Sequence, residues 1–260
     1  IPNIRNNYTV TEKADGDRKL LFITDNGYIY LIDTNMNIQF TGARSQNKDL
    51  FNTIIDGEHI LHNKNKMYIN LFAAFDIYFL NKKDLRTLPF SPQPKDETIE
   101  KNSFRLPVLV NVIKNLKPVS TTTGGIPSIR IENKIFYSSS DGETIFQSCN
   151  FILQKVTDNL FEYNTDGLIF TPRDLGVGMN KVDETDIKNY KTTWDYSFKW
   201  KPPEFNTIDF LLSIKKNPDG QDFIGNIFQS GTNTSNSTQL TQYKTVILKI
   251  GFDEKKHGYI

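Results

Sequence analysis

The chain is 260 residues long, 37% hydrophobic and 12% aromatic, which is enough apolar material for a folded core and excludes a disordered protein. Its 31 Lys and Arg residues against 30 Asp and Glu leave a net charge of +1, so a polyanionic partner would need a local basic patch rather than an overall cationic field. The single cysteine excludes a disulfide framework and a cysteine-based zinc cluster, and it indicates a reducing, intracellular setting.

No apolar segment of the chain is long enough to suit a membrane span. The most apolar run, residues 68–80, contains Asp76 and is shorter than the roughly 20 residues that a span needs. The chain shows no signal peptide and begins with Ile1 rather than Met, so we expect it to be cut from a longer chain.

The first half of the chain is predicted to form mostly strands. Within residues 19–33, an Asn-Gly pair between two apolar-rich runs predicts a hairpin, because both central residues of such a turn need a positive φ. A second hairpin is expected from residues 54–61 and 67–80, which flank a polar turn at residues 63–66.

Two helices and a β-rich tail are expected next. The first helix opens at Pro107 and ends at Pro118, with one apolar face formed by Leu109, Val112, Ile113 and Leu116. The sequence S-D-G-E at residues 140–143 fits a capping box, and the helix that it starts has an apolar side formed by Ile145, Cys149, Ile152 and Val156. Residues 208–215 and 243–252 are predicted strands of the tail. The chain is therefore expected to have an α+β main body over residues 1–204 and a small β domain from residue 205 onward.

The strongest chemical motif is K-x-D-G-x-R, which runs from Lys13 to Arg18. A lysine is a nucleophile only in its neutral form, and a nearby positive charge favours that form. Arg18 is a candidate for that charge, and its guanidinium can also make a forked contact with a phosphate. Taken alone, the motif equally fits a surface turn with a solvated lysine.

Two further motifs are ambiguous by themselves. D-G-E at residues 56–58 offers carboxylates that suit a ribose hydroxyl or a magnesium ion, but the same tripeptide recurs at residues 141–143, where a helix start explains it. Phe75 precedes Asp76 in a predicted strand, where an aromatic ring is either part of the core or a platform for a nucleobase.

The last two motifs lie in short predicted strands, at residues 166–170 and 197–201. Asp166 and a glycine open the first. In the second, Lys199 and Lys201 fall on one side of the strand, where two ammonium groups repel each other unless an anion lies between them. The pair is either a solvated strand edge or a phosphate clamp.

Together and in this order, from residue 13 to residue 201, these motifs resemble those of the covalent nucleotidyltransferases, the polynucleotide ligases and mRNA capping guanylyltransferases. The segment F-K-W-K-P-P-E-F-N-T-I-D-F at residues 198–210 resembles capping enzymes more than ligases. The resemblance implies an α+β, ligase-like fold of antiparallel sheets flanked by helices, with a partial OB-fold-like domain over residues 205–260. No convincing closing basic motif is found in that last segment, which counts against nucleotidyl loading by this chain alone and affects GTP binding less.

The resemblance implies an mRNA guanylyltransferase. Lys13 would attack the α-phosphate of GTP, release pyrophosphate, hold GMP as a phosphoamide and pass it to the 5′-diphosphate end of an RNA. Two alternatives stay open: an ATP-dependent polynucleotide ligase with a lysyl-AMP intermediate, and a non-catalytic RNA-binding module of the same fold.

The resemblance also implies roles for the residues that contact the nucleotide. Arg18 would contact phosphate or ribose, Arg44 would be a further ligand-contacting arginine, and Phe75 would stack on guanine. Asp56 is expected to be structural and to shape its turn through side-chain to backbone hydrogen bonds.

Further implied roles concern charge. Glu58 would bind a ribose hydroxyl or a metal ion, and Asp166 would orient Lys13 or bind Mg²⁺ or Mn²⁺. Lys199 and Lys201 would hold the α-phosphate and add positive field around Lys13.

The full-length protein is expected to carry RNA triphosphatase and methyltransferase domains, in the setting of a large DNA virus, in the host cytoplasm or the virion.

Overall fold

The computed structural model describes residues 3–93, 101–139, 144–182, 194–228 and 240–251, together with positions 231, 234–236, 238 and 255. The chain divides into two compact units, Ile1–Phe205 and Asn206–Ile260. None of the helices in this described part of the chain is long and apolar enough to cross a membrane.

The first unit contains twelve described strands and two α-helices. The strands are β1 (Tyr8–Ala14), β2 (Asp17–Ile23), β3 (Tyr28–Asp33), β4 (Ile38–Arg44), β5 (Thr53–His62), β6 (Tyr68–Leu80), β7 (Lys83–Asp84), β8 (Val119–Ser120), β9 (Arg130–Asn133), β10 (Tyr137–Ser138), β11 (Thr165–Pro172) and β12 (Phe198–Trp200). The helices are α1 (Arg105–Leu116) and α2 (Ile145–Thr157).

The larger sheet holds eight described strands and the main core. Its antiparallel order is β7-β6-β5-β2-β3-β4-β8, with β9 added in parallel beside β6. Helix α1 packs on this sheet, because its buried face of Val108, Leu109, Val112 and Leu116 meets apolar side chains such as Leu21, Ile55 and Phe72. Burial of that apolar area stabilises the unit at roughly 25 cal/mol for each Å².

The smaller sheet is antiparallel, in the order β10-β1-β11-β12, and is covered by α2. Ile145, Cys149 and Ile152 of the helix are buried in one cluster with Val10 and Leu168 of the sheet. The order of strands matters for function, because it brings β1, β11 and β12 side by side although they are far apart in the sequence. The antiparallel sheets flanked by helices confirm the predicted α+β fold class.

Both predicted hairpins and both predicted helices are confirmed, with shifted boundaries. Helix α1 begins at Arg105, before Pro107, because a proline is tolerated in the first turn of a helix. The expected capping residues 140–143 lie outside the described residues. The described helix α2 begins at Ile145, and Thr144 and Gln147 form its capping box.

The second unit, taken by itself, contains two described two-stranded antiparallel sheets. Strand β13 (Leu211–Ile214) pairs with β16 (Val246–Lys249), and β14 (Ile224–Phe228) pairs with β15 (Leu240–Lys244). The tail is β-rich, as expected, but the strand expected at residues 243–252 is replaced by the end of β15 and the whole of β16, and β14 is an additional strand. The assignment of this unit to a partial OB-fold-like domain stays a prediction.

Candidate active site

Lys13 lies at an irregular point of the smaller sheet. Along β1 and β11, Glu12 pairs with Leu168 and Ala14 pairs with Thr165, so Lys13 alone faces both Asp166 and Gly167. Bulges of this kind re-aim a side chain and are common beside active sites. The Lys13 Nζ atom donates a hydrogen bond to Asp166 Oδ1 at 2.6 Å.

Asp166 is shared between two lysines. Its other carboxylate oxygen, Oδ2, lies 2.8 Å from the Nζ atom of Lys201, just beyond the end of β12. The side chains of Lys13 and Asp166 are 18% and 15% exposed, so this cluster is largely buried but open to a ligand. Partial burial raises the pKa of Asp166, but the hydrogen bonds and charges of the two lysines outweigh burial and leave the pKa below its ordinary value of 3.8.

The close approach of β12 depends on Gly167. A Cβ atom at this position would lie 2.0 Å from the backbone oxygen of Trp200, and the φ angle of Gly167 is +144°. Only glycine adopts that backbone conformation readily. The glycine of the D-G-L-I-F motif therefore allows Lys201 to reach Asp166.

A second ionic cluster lies on the larger sheet. Arg18 on β2 makes a forked contact with Asp56 on β5, with Nε donating to Oδ1 at 3.0 Å and Nη2 donating to Oδ2 at 2.6 Å. The Asp56 side chain is 0% exposed, whereas that of Arg18 is 58% exposed. Burial raises the pKa of Asp56, although the hydrogen bonds from Arg18 and Tyr78 oppose that rise.

Asp56 is buried in a structural ion pair, but the turn-shaping contact expected of it was wrong. Its side chain does not shape a turn, because Asp56 lies in the middle of β5 and its carboxylate accepts hydrogen bonds from Arg18 and Tyr78. The Tyr78 hydroxyl donates to Asp56 Oδ2, and it was not anticipated from the sequence, where it is one aromatic residue in an apolar strand.

Glu58 connects the two sheets electrostatically. Burial raises the pKa of Glu58, while the positive charges of Lys134, Lys13 and Lys199 oppose that rise. Lys199 itself is exposed on β12, the strand at one edge of the smaller sheet.

Phe75 is the extra residue of a bulge in β6. Along β5, Asp56 pairs with Asp76 and the next residue, Gly57, pairs with Ala74, so Phe75 has no partner. Its side chain is half-buried. The predicted stacking of Phe75 on guanine stays a prediction, with the bulge as a local feature that sets this residue apart from the regular strand.

Arg44 is not joined to these clusters by any contact among the described residues. It pairs with Tyr28 across β3 and β4, at the opposite end of the β2–β3 hairpin from Arg18. Its Nε atom donates to the backbone oxygen of Asn26 at 2.9 Å, and its guanidinium lies 5.3 Å from the centroid of the Tyr28 ring. A ligand contact by Arg44 stays a prediction.

A buried ion pair beside Lys13 was also missed. Lys134 Nζ lies 3.2 Å from Glu12 Oε1, and both side chains are almost fully buried. Tyr163 and Thr11 also donate to the Glu12 carboxylate, at 2.8 Å each. Burial lowers the pKa of Lys134, although Glu12 opposes that shift. The one sequence signal for this ion pair was Glu12 itself, a charged residue that lies directly before Lys13 in a buried strand.

The carboxylates of the site fit a metal ion only in part. Among the described residues, no group of three or more His, Cys, Asp or Glu side chains is arranged to hold one. Mg²⁺, however, is often held by one or two carboxylates together with substrate phosphates. Asp166 contacts the Lys13 amine directly, whereas the charge of Lys13 affects Glu58 only by opposing the rise in its pKa. Metal binding by these two carboxylates stays a prediction.

Comparison with known proteins identifies the family to which the chain belongs. The family model for the mRNA capping enzyme, catalytic domain, matches residues 4–203. The chain belongs to this family, and the resemblance carried by the sequence motifs is confirmed.

Individual relatives are longer than this chain. A probable mRNA-capping enzyme of Acanthamoeba polyphaga mimivirus is 26% identical over 285 residues, which cover 97% of this chain and 23% of the relative. The mRNA-capping enzyme subunit alpha of Schizosaccharomyces pombe is 29% identical over 80% of this chain and 49% of its own length. A solved structure of mycobacterial DNA ligase D with ATP and MES has a TM-score of 0.39 and 15% identity, over 65% of this chain and 49% of the ligase chain.

Proposed function

We propose that the chain is an mRNA guanylyltransferase domain that transfers GMP from GTP, through Lys13, to the 5′-diphosphate end of an RNA. The observation that supports this most directly is the hydrogen bond of 2.6 Å between Lys13 and Asp166, with Lys201 on the other oxygen of the same carboxylate. One amine, one carboxylate and one further cation in contact supply a nucleophile, a group that orients it, and a counter-charge for phosphate.

In the first step, Lys13 Nζ forms a bond with the α-phosphorus of GTP, and the bond from that phosphorus to the pyrophosphate oxygen breaks. The ammonium must lose a proton before the attack, and the Asp166 carboxylate, which already accepts a hydrogen bond from Nζ, is the group best suited to orient it and receive that proton. Lys199 and Lys201 stabilise the charge that develops on the phosphate oxygens.

In the second step, a terminal oxygen of the RNA 5′-diphosphate attacks the same phosphorus, and the bond to Lys13 Nζ breaks. The product is a 5′–5′ triphosphate cap, and the amine regains its proton. Arg18 holds phosphate or ribose, and Arg44 is a more distant ligand contact. Phe75 stacks on guanine, and Glu58 accepts a hydrogen bond from a ribose hydroxyl or binds a metal ion.

Mg²⁺ or Mn²⁺ would be held by Asp166 and Glu58 together with the nucleotide, and would supply positive charge at the phosphates. Since the chain spans 23% to 49% of the two relatives described above, the rest of the capping pathway belongs to other segments. RNA triphosphatase and methyltransferase domains in the full-length protein, and a setting in the host cytoplasm or the virion, are part of this proposal.

The test is incubation with GTP or ATP labelled at the α-phosphate, with Mg²⁺ or Mn²⁺, followed by denaturing electrophoresis. We expect a covalent label from GTP. A label from ATP alone would favour a polynucleotide ligase. No label from either nucleotide, even in a chain extended at its C-terminus, would contradict both reactions and favour the non-catalytic RNA-binding module.

The Lys13→Ala substitution gives the sharpest control on this experiment. It removes the nucleophile and should abolish labelling, a loss of at least about 10⁴-fold. Lys114→Ala, at an exposed lysine on α1, should label as the unchanged chain does. Equal labelling of the Lys13→Ala and Lys114→Ala chains would exclude Lys13 as the attacking group.

A further inference from the structure

Tyr78 is a second extra residue in β6. The pairing with β5 shifts between Ile54, which faces Phe79, and Ile55, which faces Ile77, so Tyr78 lies opposite no residue. A bulge can turn a side chain away from its regular direction. Here the hydroxyl of Tyr78 donates to Asp56 Oδ2, and the Nη2 atom of Arg18 donates to the Tyr78 oxygen at 3.3 Å.

These contacts hold one edge of the Arg18 guanidinium. Its Nε and Nη2 atoms bind Asp56, and Nη2 also binds Tyr78, whereas Nη1 makes no hydrogen bond with a described residue. The side chain is more than half exposed even though its partner carboxylate is fully buried. The free edge of Arg18 is therefore open to an oxygen atom of a ligand, at a fixed orientation.

The hydroxyl of Tyr78 makes this arrangement more rigid than an ion pair alone. Arg18 Nη2 and the Tyr78 hydroxyl both donate to Oδ2 of Asp56, and Nη2 also donates to the Tyr78 oxygen, so the three groups form a closed ring of hydrogen bonds. Networks of this kind order their members more strongly than the separate pairs do.

We infer that Tyr78 is a positioning residue for nucleotide binding, which acts on Arg18 through Asp56. The inference rests on the proposed function, in which Arg18 contacts the phosphate or ribose of the nucleotide. Tyr78 itself does not touch the reacting atoms.

The first test is Tyr78→Phe, which removes only the hydroxyl. We expect the equilibrium dissociation constant for GTP, measured by calorimetry with Mg²⁺ in chains that also carry Lys13→Ala and so cannot react, to rise roughly five-fold, as for the loss of one hydrogen bond. The maximal rate of labelling at saturating GTP should stay within about two-fold, because a contact made equally in the ground state and the transition state affects binding rather than the chemical step.

The matched control is Tyr30→Phe. Tyr30 lies on β3 of the same sheet, and its hydroxyl makes no hydrogen bond with a described residue, while its ring packs on Phe40 at 5.1 Å between centroids. This variant should bind GTP as the unchanged chain does. Equal GTP affinity in Tyr78→Phe and Tyr30→Phe would overturn the inference.

A double-mutant comparison separates positioning from a general loss of structure. In a chain that already carries Arg18→Gln, Tyr78→Phe should no longer weaken GTP binding, because the group that it positions is gone. An unchanged five-fold effect in that background would overturn the inference. If the Arg18→Gln chain does not fold, Arg18→Lys replaces it, because an ammonium cannot make the forked contact with Asp56 that Tyr78 supports.

A chain that binds GTP but is never labelled would overturn the proposed reaction and still allow these binding comparisons.

Discussion

The two Asp–Gly pairs of the site, Asp166–Gly167 on β11 and Asp56–Gly57 on β5, have the same sequence and different surroundings. Asp166 is partly open, contacts two lysines and has a lowered pKa. Asp56 is fully buried, contacts Arg18 and has a raised pKa. The first carboxylate is exposed to a ligand, and the second can act only through the arginine that it holds.

Gly167 and Gly57 also differ in the neighbouring group that approaches their backbone. A Cβ atom at Gly167 would lie 2.0 Å from the Trp200 backbone oxygen, whereas one at Gly57 would lie 2.4 Å from the ring of Phe72 in the core. The first glycine admits a strand that carries a lysine, and the second admits a core side chain. The Asp-Gly motif therefore marks a close approach of backbone, while the neighbour that approaches determines what the aspartate does.

The largest effect that would test this comparison is expected for Asp166→Asn. The amide cannot hold two ammonium groups as the carboxylate does, so the single-turnover labelling rate should fall roughly 10³-fold, as when a preorganised charged group is lost. The free energy of unfolding should change by less than about 1 kcal/mol, because the ion pairs are partly solvated.

Asp56→Asn is the counterpart of that variant. It removes a buried charge that accepts hydrogen bonds, so it should lower the free energy of unfolding by about 2 kcal/mol and weaken GTP binding more than it slows the chemical step. Urea titrations and labelling rates on both variants measure the difference. The same ratio of stability loss to rate loss in the two variants would contradict the different roles assigned to Asp166 and Asp56.

Gly167→Ala should have the next largest effect. The added methyl group meets the Trp200 oxygen and strains a backbone of positive φ, so β12 must move away and separate Lys201 from Asp166. A displacement of about 1 Å at a reacting group reduces rates by roughly 10²-fold, and we expect a labelling rate lowered by about that amount.

Gly125→Ala is the control for that substitution, because a Cβ atom at Gly125 makes no contact closer than 3.5 Å and its φ is not positive. This variant should label normally. Normal labelling by Gly167→Ala as well would show that the approach of β12 does not govern the site.

The smallest expected effect is on the pH dependence of stability. Because the pKa of Asp166 is lowered in the folded chain, its contribution to stability is present above its unfolded value of about 3.8 and is lost as the pH falls through the folded pKa. The difference in unfolding free energy between the unchanged chain and Asp166→Asn should shrink by less than about 1 kcal/mol between pH 6 and pH 3. A difference that grows toward acid pH would show that the lysines do not stabilise this carboxylate.

Local patterns in the sequence were sufficient for the hairpins and helices. The Asn-Gly turn before β3 and the apolar stripe of α1 depend on interactions over a few residues, so they can be recognised without the fold. The motifs that include Lys13 and Asp166 were found in the same way, and their combination in order pointed to the family that the comparisons confirm.

The sequence was sufficient for the two hairpins, the two helices, the family and the candidate nucleophile, but not for strands such as β4, β9 and β14. Only the tertiary structure decided which aspartate meets which cation, that Tyr78 closes a ring with Arg18 and Asp56, and that Lys134 is buried against Glu12. These contacts join strands that are far apart in the chain and depend on bulges that shift the register by one residue. Neither pairing nor register between distant strands is encoded in the spacing of residues along one of them.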